Sequence, residues 1–210
     1  AVRLRIMLLR YGKNLEQLLI NELREANPSI TASLLQGVEG MNARNTTPAR
    51  LNALRRLVLN ETTDVYTAIL KKLNGEMDKF GTAETEYHAN TLRSVIPPEV
   101  LKLLDKKIET TSWQQVLASV NSRAVMGSTI EKWFNTRLPE ELTAGLVNGV
   151  QKGIIEGVPS KKIISELRKG GAWGNNERNL ATVTHAAINF VAADARELTR
   201  AANADLIKQR

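Results

Sequence analysis

The sequence predicts an all-α chain, an elongated multi-helix assembly with a long C-terminal helix. Hydrophobic residues make up 42% of the 210 positions but aromatics only 4%, so the core must be Leu, Val, Ile and Ala, which suits packed helices better than a sandwich. Apolar residues recur at three- and four-residue steps through most of the chain. Breakers at Asn27-Pro28, Pro97-Pro98, Pro159 and Gly170-Gly171 divide it into helix-sized pieces.

From Ala1 to Ala26 a seam runs through Leu4, Leu8, Tyr11, Leu15 and Leu18, then Leu19 and Leu23, and Asn27-Pro28 ends it. Ser29 to Thr47, with Gly37 and Gly40, reads as a short helix at most followed by a loop, the best candidate hinge in this half. Thr47 caps the next helix and Pro48 occupies its first turn; Leu54, Val58, Val65, Ile69 and Leu73 share a face that reaches toward Phe80. Gly81 is expected to stop or bend it, with Thr82 to Val95 as a further, polar helix.

Beyond Pro97-Pro98 the sequence predicts a helix over Glu99 to Ile108. Capped starts follow at Ser112 and at Ser128-Thr129, where a side chain three residues on can answer the cap. Pro139-Glu140-Glu141 opens the next helix, its acids suited to the positive end of the dipole, and Gly157 closes it. Val158-Pro159-Ser160 begins another that ends at Gly170-Gly171. After a loop over 170–176, a long helix runs from Glu177 to about Lys208, with Leu180, Val183, Ala187, Val191, Ala195, Leu198 and Ala202 in one Ala-rich stripe that calls for a close-packed neighbour. We divide the chain into an N-terminal helical region, 1–96, and a C-terminal one, 97–210.

The chain has no cysteine and two histidines far apart, His88 and His185, so no disulfide, thiol nucleophile or cysteine zinc site is expected. His185 has no serine or carboxylate partner at helical spacing, and both histidines read as structural. Glu84 and Glu86, two apart, point to different sides of a helix and read as solvated. No catalytic, cofactor-binding or metal residues are assigned, and the chain is read as not an enzyme. No apolar run approaches the roughly 18 residues of a membrane span, and no signal-peptide core is visible in the opening stretch, so an intracellularly made, soluble protein is expected.

The net charge is +7, carried at the ends: residues 1–60 hold 9 Lys and Arg against 4 Asp and Glu, 61–144 hold 10 against 12, and 145–210 hold 10 against 6. Two basic surfaces for DNA or an acidic protein ring are one reading of that arrangement, and simple solubility is the other. Arg50, Arg55 and Arg56 in the first half, and Lys161, Lys162, Arg168 and Lys169 in the second, are candidate phosphate contacts or else solvated faces. No aromatics interleave with them, so single-strand stacking is not indicated.

Gly149, Gly153 and Gly157 recur every four residues, a pattern of close helix contact; the polar residues between them rule out the membrane version. Trp113, Trp133 and Phe134 read as core anchors. Trp173, flanked by glycines in the expected loop, is either core or an exposed anchor for a partner's pocket.

The stretch from about Val125 onward resembles the head-morphogenesis family, the minor head proteins of tailed bacteriophages. Three segments carry the resemblance. Met126-Gly127-Ser128-Thr129-Ile130-Glu131-Lys132-Trp133-Phe134 is similar to the stretch before the family's domain. Leu146 to Ser160 with Ile163-Ile164-Ser165-Glu166-Leu167 is similar to its helix, glycine turn and second short helix. Thr182 to Asn189, running into Ala195-Arg196-Glu197 and on to Lys208, is similar to its long helix. Many members follow that helix with a small β-containing segment holding Cys and His in a metal-site-like arrangement; the sequence to Arg210 holds none, and no metal site is carried over.

The resemblance implies a low-copy structural protein of the virion, made in the host cytoplasm and lying in the head interior or at the portal vertex. Its implied partners are the portal protein, the major capsid protein or a scaffolding protein, with double-stranded DNA bound non-specifically or a second copy of the chain as further candidates. It also implies an influence on DNA packaging or ejection. The alternative, from charge alone, is a basic helical DNA-binding protein associated with genome packaging.

Overall fold

The computed structural model describes residues 2–207, and side chains from Ile6 onward. Leu4 of the first seam and Lys208 at the end of the last helix lie outside those described side chains. The architecture is all-α: α1 (Val2–Glu25), α2 (Asn27–Val38), α3 (Pro48–Val95), α4 (Pro98–Leu103) and α5 (Trp113–Ser122) precede a hairpin of β1 (Ala124–Val125) and β2 (Ser128–Thr129). Then come α6 (Ile130–Lys132), a π-helical turn (Trp133–Arg137), α7 (Leu138–Ile155), α8 (Ser160–Lys169), α9 (Gly171–Ala202) and α10 (Ala204–Ile207).

Two compact units share these elements: Ala1–Leu73 with Glu131–Thr184, and Asn74–Ile130 with His185–Arg210. Pro97-Pro98 therefore falls inside the second unit, and α3 and α9 each supply one part to either.

In the first unit α1 buries Leu15, Leu19 and Leu23 at four-residue steps, while Leu18 of the expected seam is exposed. Asn27-Pro28 interrupts the helix but does not release the chain. Pro28 falls in the first turn of α2, where its missing N–H costs nothing, and Ile30, Leu34 and Val38 continue inward. The expected short helix runs through Gly37, where the lack of a β-carbon lets the Leu54 side chain approach, and the loop follows it. The 39–47 loop is closed on itself: Asn42 Oδ1 accepts from Arg44 N at 2.9 Å and Asn45 Nδ2 donates to Gly40 O at 2.8 Å. Thr47 caps α3 as expected, its Oγ1 accepting from Arg50 N at 3.3 Å.

The face α3 gives this unit is Leu54, Val58, Thr62, Tyr66, Ile69 and Leu73; Val65 is only half-buried, since four-residue steps place Tyr66 inward instead. Tyr66 meets Phe134 edge to face, centroids 6.4 Å apart, and donates to Asn176 Oδ1, whose Nδ2 donates to Leu138 O at 3.0 Å. Pro139 falls in the first turn of α7, as expected. It follows a π turn in which Leu138 N donates to Trp133 O, a wider step that accommodates a proline unable to donate to its own i−4 carbonyl. Glu140 and Glu141 lie in that same first turn. Gly157, at φ +71°, closes α7: Val158 N donates to Gly153 O at 2.9 Å and Gly157 N to Ile154 O at 3.1 Å. One residue, Gly170, separates α8 from α9, so the expected 170–176 loop is helix, and its Trp173 is buried at 6% exposure.

In the second unit α3 runs unbroken through Gly81, where the expected stop or bend does not occur: a β-carbon there would overlap the Trp113 ring of α5 and come within 3.2 Å of Val191 of α9. Ser112 and Gln115 form the expected capping box of α5. Ser128 and Thr129 pair with Val125 and Ala124 across a turn in which Met126 (φ +46°) and Gly127 (φ +77°) both adopt the left-handed region, the type I′ pattern, and the buried Ser128 Oγ, without a hydrogen-bond partner, caps no helix. Helix α4 stops at Leu103, short of Ile108, as Asp105 turns left-handed and Lys106 N donates to Leu101 O. The α9 stripe is buried through Ala195, half-buried at Leu198 and exposed at Ala202. Asn203 breaks the helix and binds Glu109 in both directions at 2.9 Å, fixing the chain that follows α4.

Candidate functional site

Helical geometry decides which predicted basic residues share a face. At about 100° per residue, Arg50, Arg55 and Arg56 spread around α3. Accordingly, Arg50 lines a shallow cleft with Glu39 and Met41, while Arg55 lines another with Leu59 and Glu140. The same arithmetic gathers α8. Lys161 and Arg168 fall within about 20° of each other, Lys162 and Lys169 likewise, and all four lie within an arc of about 120°. Ile163 and Ile164 point the other way and are buried.

Close contact holds α8 in place. A β-carbon on Gly149 would overlap Leu167, and one on Gly153 would come within 2.5 Å of Ile163. Gly145, a further step back, faces Ala172. The glycine row thus receives α8 and the start of α9 within one unit, and Gly157, with nothing near its missing β-carbon, serves the turn.

Two clefts flank α8. Near its start Met41, Asn42 and Arg44 face Ile154 and residues 157–160 across about 460 Å³. Near its end Arg24, Asn27 and Pro28 face Ser165, Arg168 and Lys169. Arg24 is committed to Glu177 by hydrogen bonds of 2.8 and 2.7 Å, which raise its pKa above the ordinary arginine value. The side chains of Arg44, Arg50, Lys161, Lys162, Arg168 and Lys169 are exposed and make no ion pair among the described residues. Arg44 had no neighbouring charge in sequence to mark it; only folding sets its loop beside Ser160.

Elsewhere, Glu84 is buried at 8% exposure and faces His88 Nε2 at 3.4 Å, so its expected solvation is not what the fold gives; Glu86 is exposed. His185 is half-buried on α9. No group of three His, Asp or Glu among the described residues is placed to hold a metal ion, and no described helix is long and apolar enough to cross a membrane. The start of α1 exposes Ile6, Met7 and Leu9 beside Arg10.

Compared with known protein families, curated proteins and solved structures, the chain matches none.

Proposed function

We propose that the chain is a structural minor head protein of a tailed phage, acting through its surfaces at the portal vertex or the inner capsid during head assembly. The observation that carries this reading is the succession α7, glycine turn at Gly157, α8 and long α9, the same order of elements as in the family that residues 125–210 resemble. Its protein-facing surface is assigned to the start of α1, where Ile6, Met7 and Leu9 stand exposed within a single turn, an apolar face of the kind that docks into a groove.

Co-purification with the portal protein of the same genome tests the reading, by size-exclusion chromatography with light scattering at low and at moderate salt. A complex of defined stoichiometry that survives moderate salt, and is lost when Met7 and Leu9 are both replaced by Asp, is expected. Absence of any complex overturns the reading.

A further inference from the structure

We infer that α8, with Arg44 beside its start and Arg50 in the adjoining cleft past Met41, is a docking surface for the phosphate backbone of duplex DNA. Lys161, Lys162, Arg168 and Lys169 form two parallel rows about 10 Å long, roughly three base-pair rises measured along the duplex axis. Glu166 is the single carboxylate on α8, and it lies beyond the edge of the basic arc. Arg44 extends the charge across the cleft at Ser160, and Arg50 extends it past Met41, which lines both clefts.

The charge is also placed against local stability. Lys161 and Lys162 occupy the first turn of α8, at the positive end of the helix dipole, with no acid in that turn and no side-chain cap from Pro159. A ligand carrying negative charge removes that conflict, whereas folding alone does not. The contacts with Gly149 and Gly153 fix the helix, so the cations are held outward on a rigid support.

Duplex DNA suits this face better than an acidic protein does. The exposed side of α8 holds no aromatic or large aliphatic residue to act as the buried anchor a protein interface needs. It holds nothing for unpaired bases to stack on either. Lysine-rich rows make point-charge contacts to phosphate and leave base edges unread, so binding is independent of sequence.

The inference stands apart from the portal reading, because the two surfaces and the two assays differ. The test is fluorescence anisotropy with a labelled duplex of arbitrary sequence across a salt series. For four contacts the logarithm of affinity falls against the logarithm of salt with slope about −3.6, a loss of about a hundredfold between roughly 50 and 200 mM. Each of the substitutions Lys161→Gln, Lys162→Gln, Arg168→Gln and Lys169→Gln reduces that slope by about one, and the fourfold variant removes the α8 share of it, leaving at most the smaller slope that Arg44 and Arg50 contribute, with its helical circular dichroism unchanged. Arg55→Gln with Arg56→Gln leaves the slope as it was. A wild-type chain that does not bind, a slope unmoved in the fourfold variant, or binding to polyglutamate in preference to duplex overturns the inference.

Discussion

Gly153 on α7 and Ile163 on α8 lie so close that a β-carbon on the glycine would sit 2.5 Å from Ile163 Cγ1 and 2.7 Å from its Cδ1. Ile163 is itself 3% exposed and has nowhere to move. Replacing Gly153 by Leu is therefore expected to cost at least about 1–3 kcal/mol through overpacking, read as a lower urea midpoint. Gly157→Ala acts differently, through strain at φ +71° with open space around it, and should cost about 1 kcal/mol without disturbing the α7–α8 contact. Unchanged stability for Gly153→Leu would mean that α8 does not pack on the glycine row.

Two glycines inside α3 make a paired prediction of opposite sign. Gly75 has nothing near its missing β-carbon, so Gly75→Ala gains helix propensity and should stabilise by up to about 1 kcal/mol. At Gly81 the same change meets the Trp113 ring and Val191, and is expected to destabilise by about 1–3 kcal/mol. Thermal unfolding followed by circular dichroism separates them; two shifts of the same sign would refute the packing of Trp113 against α3.

That contrast shows where the sequence was legible. Caps and turns were, because Thr47, Ser112, Pro159 and Gly157 act through bonds within four or five residues. Gly149 and Gly153 were legible too, since their four-residue spacing marks a contact face, but the roles of Gly37 and Gly81 are set by partners 17 to 110 residues away, and a glycine that makes room for a neighbouring side chain looks, in one dimension, like a glycine that ends a helix. The same holds for Pro28, which sits at a helix start without parting the chain. The two units escaped the linear reading because each is assembled from segments far apart in the chain. For the basic surface, the sequence offered the arginines of α3 and the cations of α8 alike; the helix bounds gather only the latter on one face, and Arg44 needed the folded loop to reach it.

Asp194 is buried at 1% exposure in α9 and is held by Arg123, which also lies over the Phe190 ring at 5.2 Å. Its Oδ2 has no hydrogen-bond partner, so Arg123 is the main counterweight to a buried charge. Removing Arg123 as Arg123→Ala should cost about 3–5 kcal/mol, whereas Lys72→Ala, which breaks a pair with Glu22 exposed on both sides, should cost less than about 1 kcal/mol. Urea titrations of the two variants decide it, and equal small effects would show that Arg123 is not what holds Asp194 in the fold.

Tyr66 offers a test by pH. Its phenol is buried between α3 and α9, and burial first, then the charges of Glu141 and Glu177, raises its pKa well above the ordinary tyrosine value of about 10. A folded-state pKa raised above the unfolded one means that the unfolded chain loses its proton first. The stabilisation is complete below about pH 10 and declines as pH rises from there toward the folded value. Absorbance near the tyrosinate band should accordingly show one of the three tyrosines failing to ionise until the chain unfolds. Tyr66→Phe should cost about 1–3 kcal/mol at neutral pH by leaving Asn176 Oδ1 without its donor, and should also flatten the alkaline fall in stability. A variant that keeps the same alkaline fall would place the titrating group elsewhere.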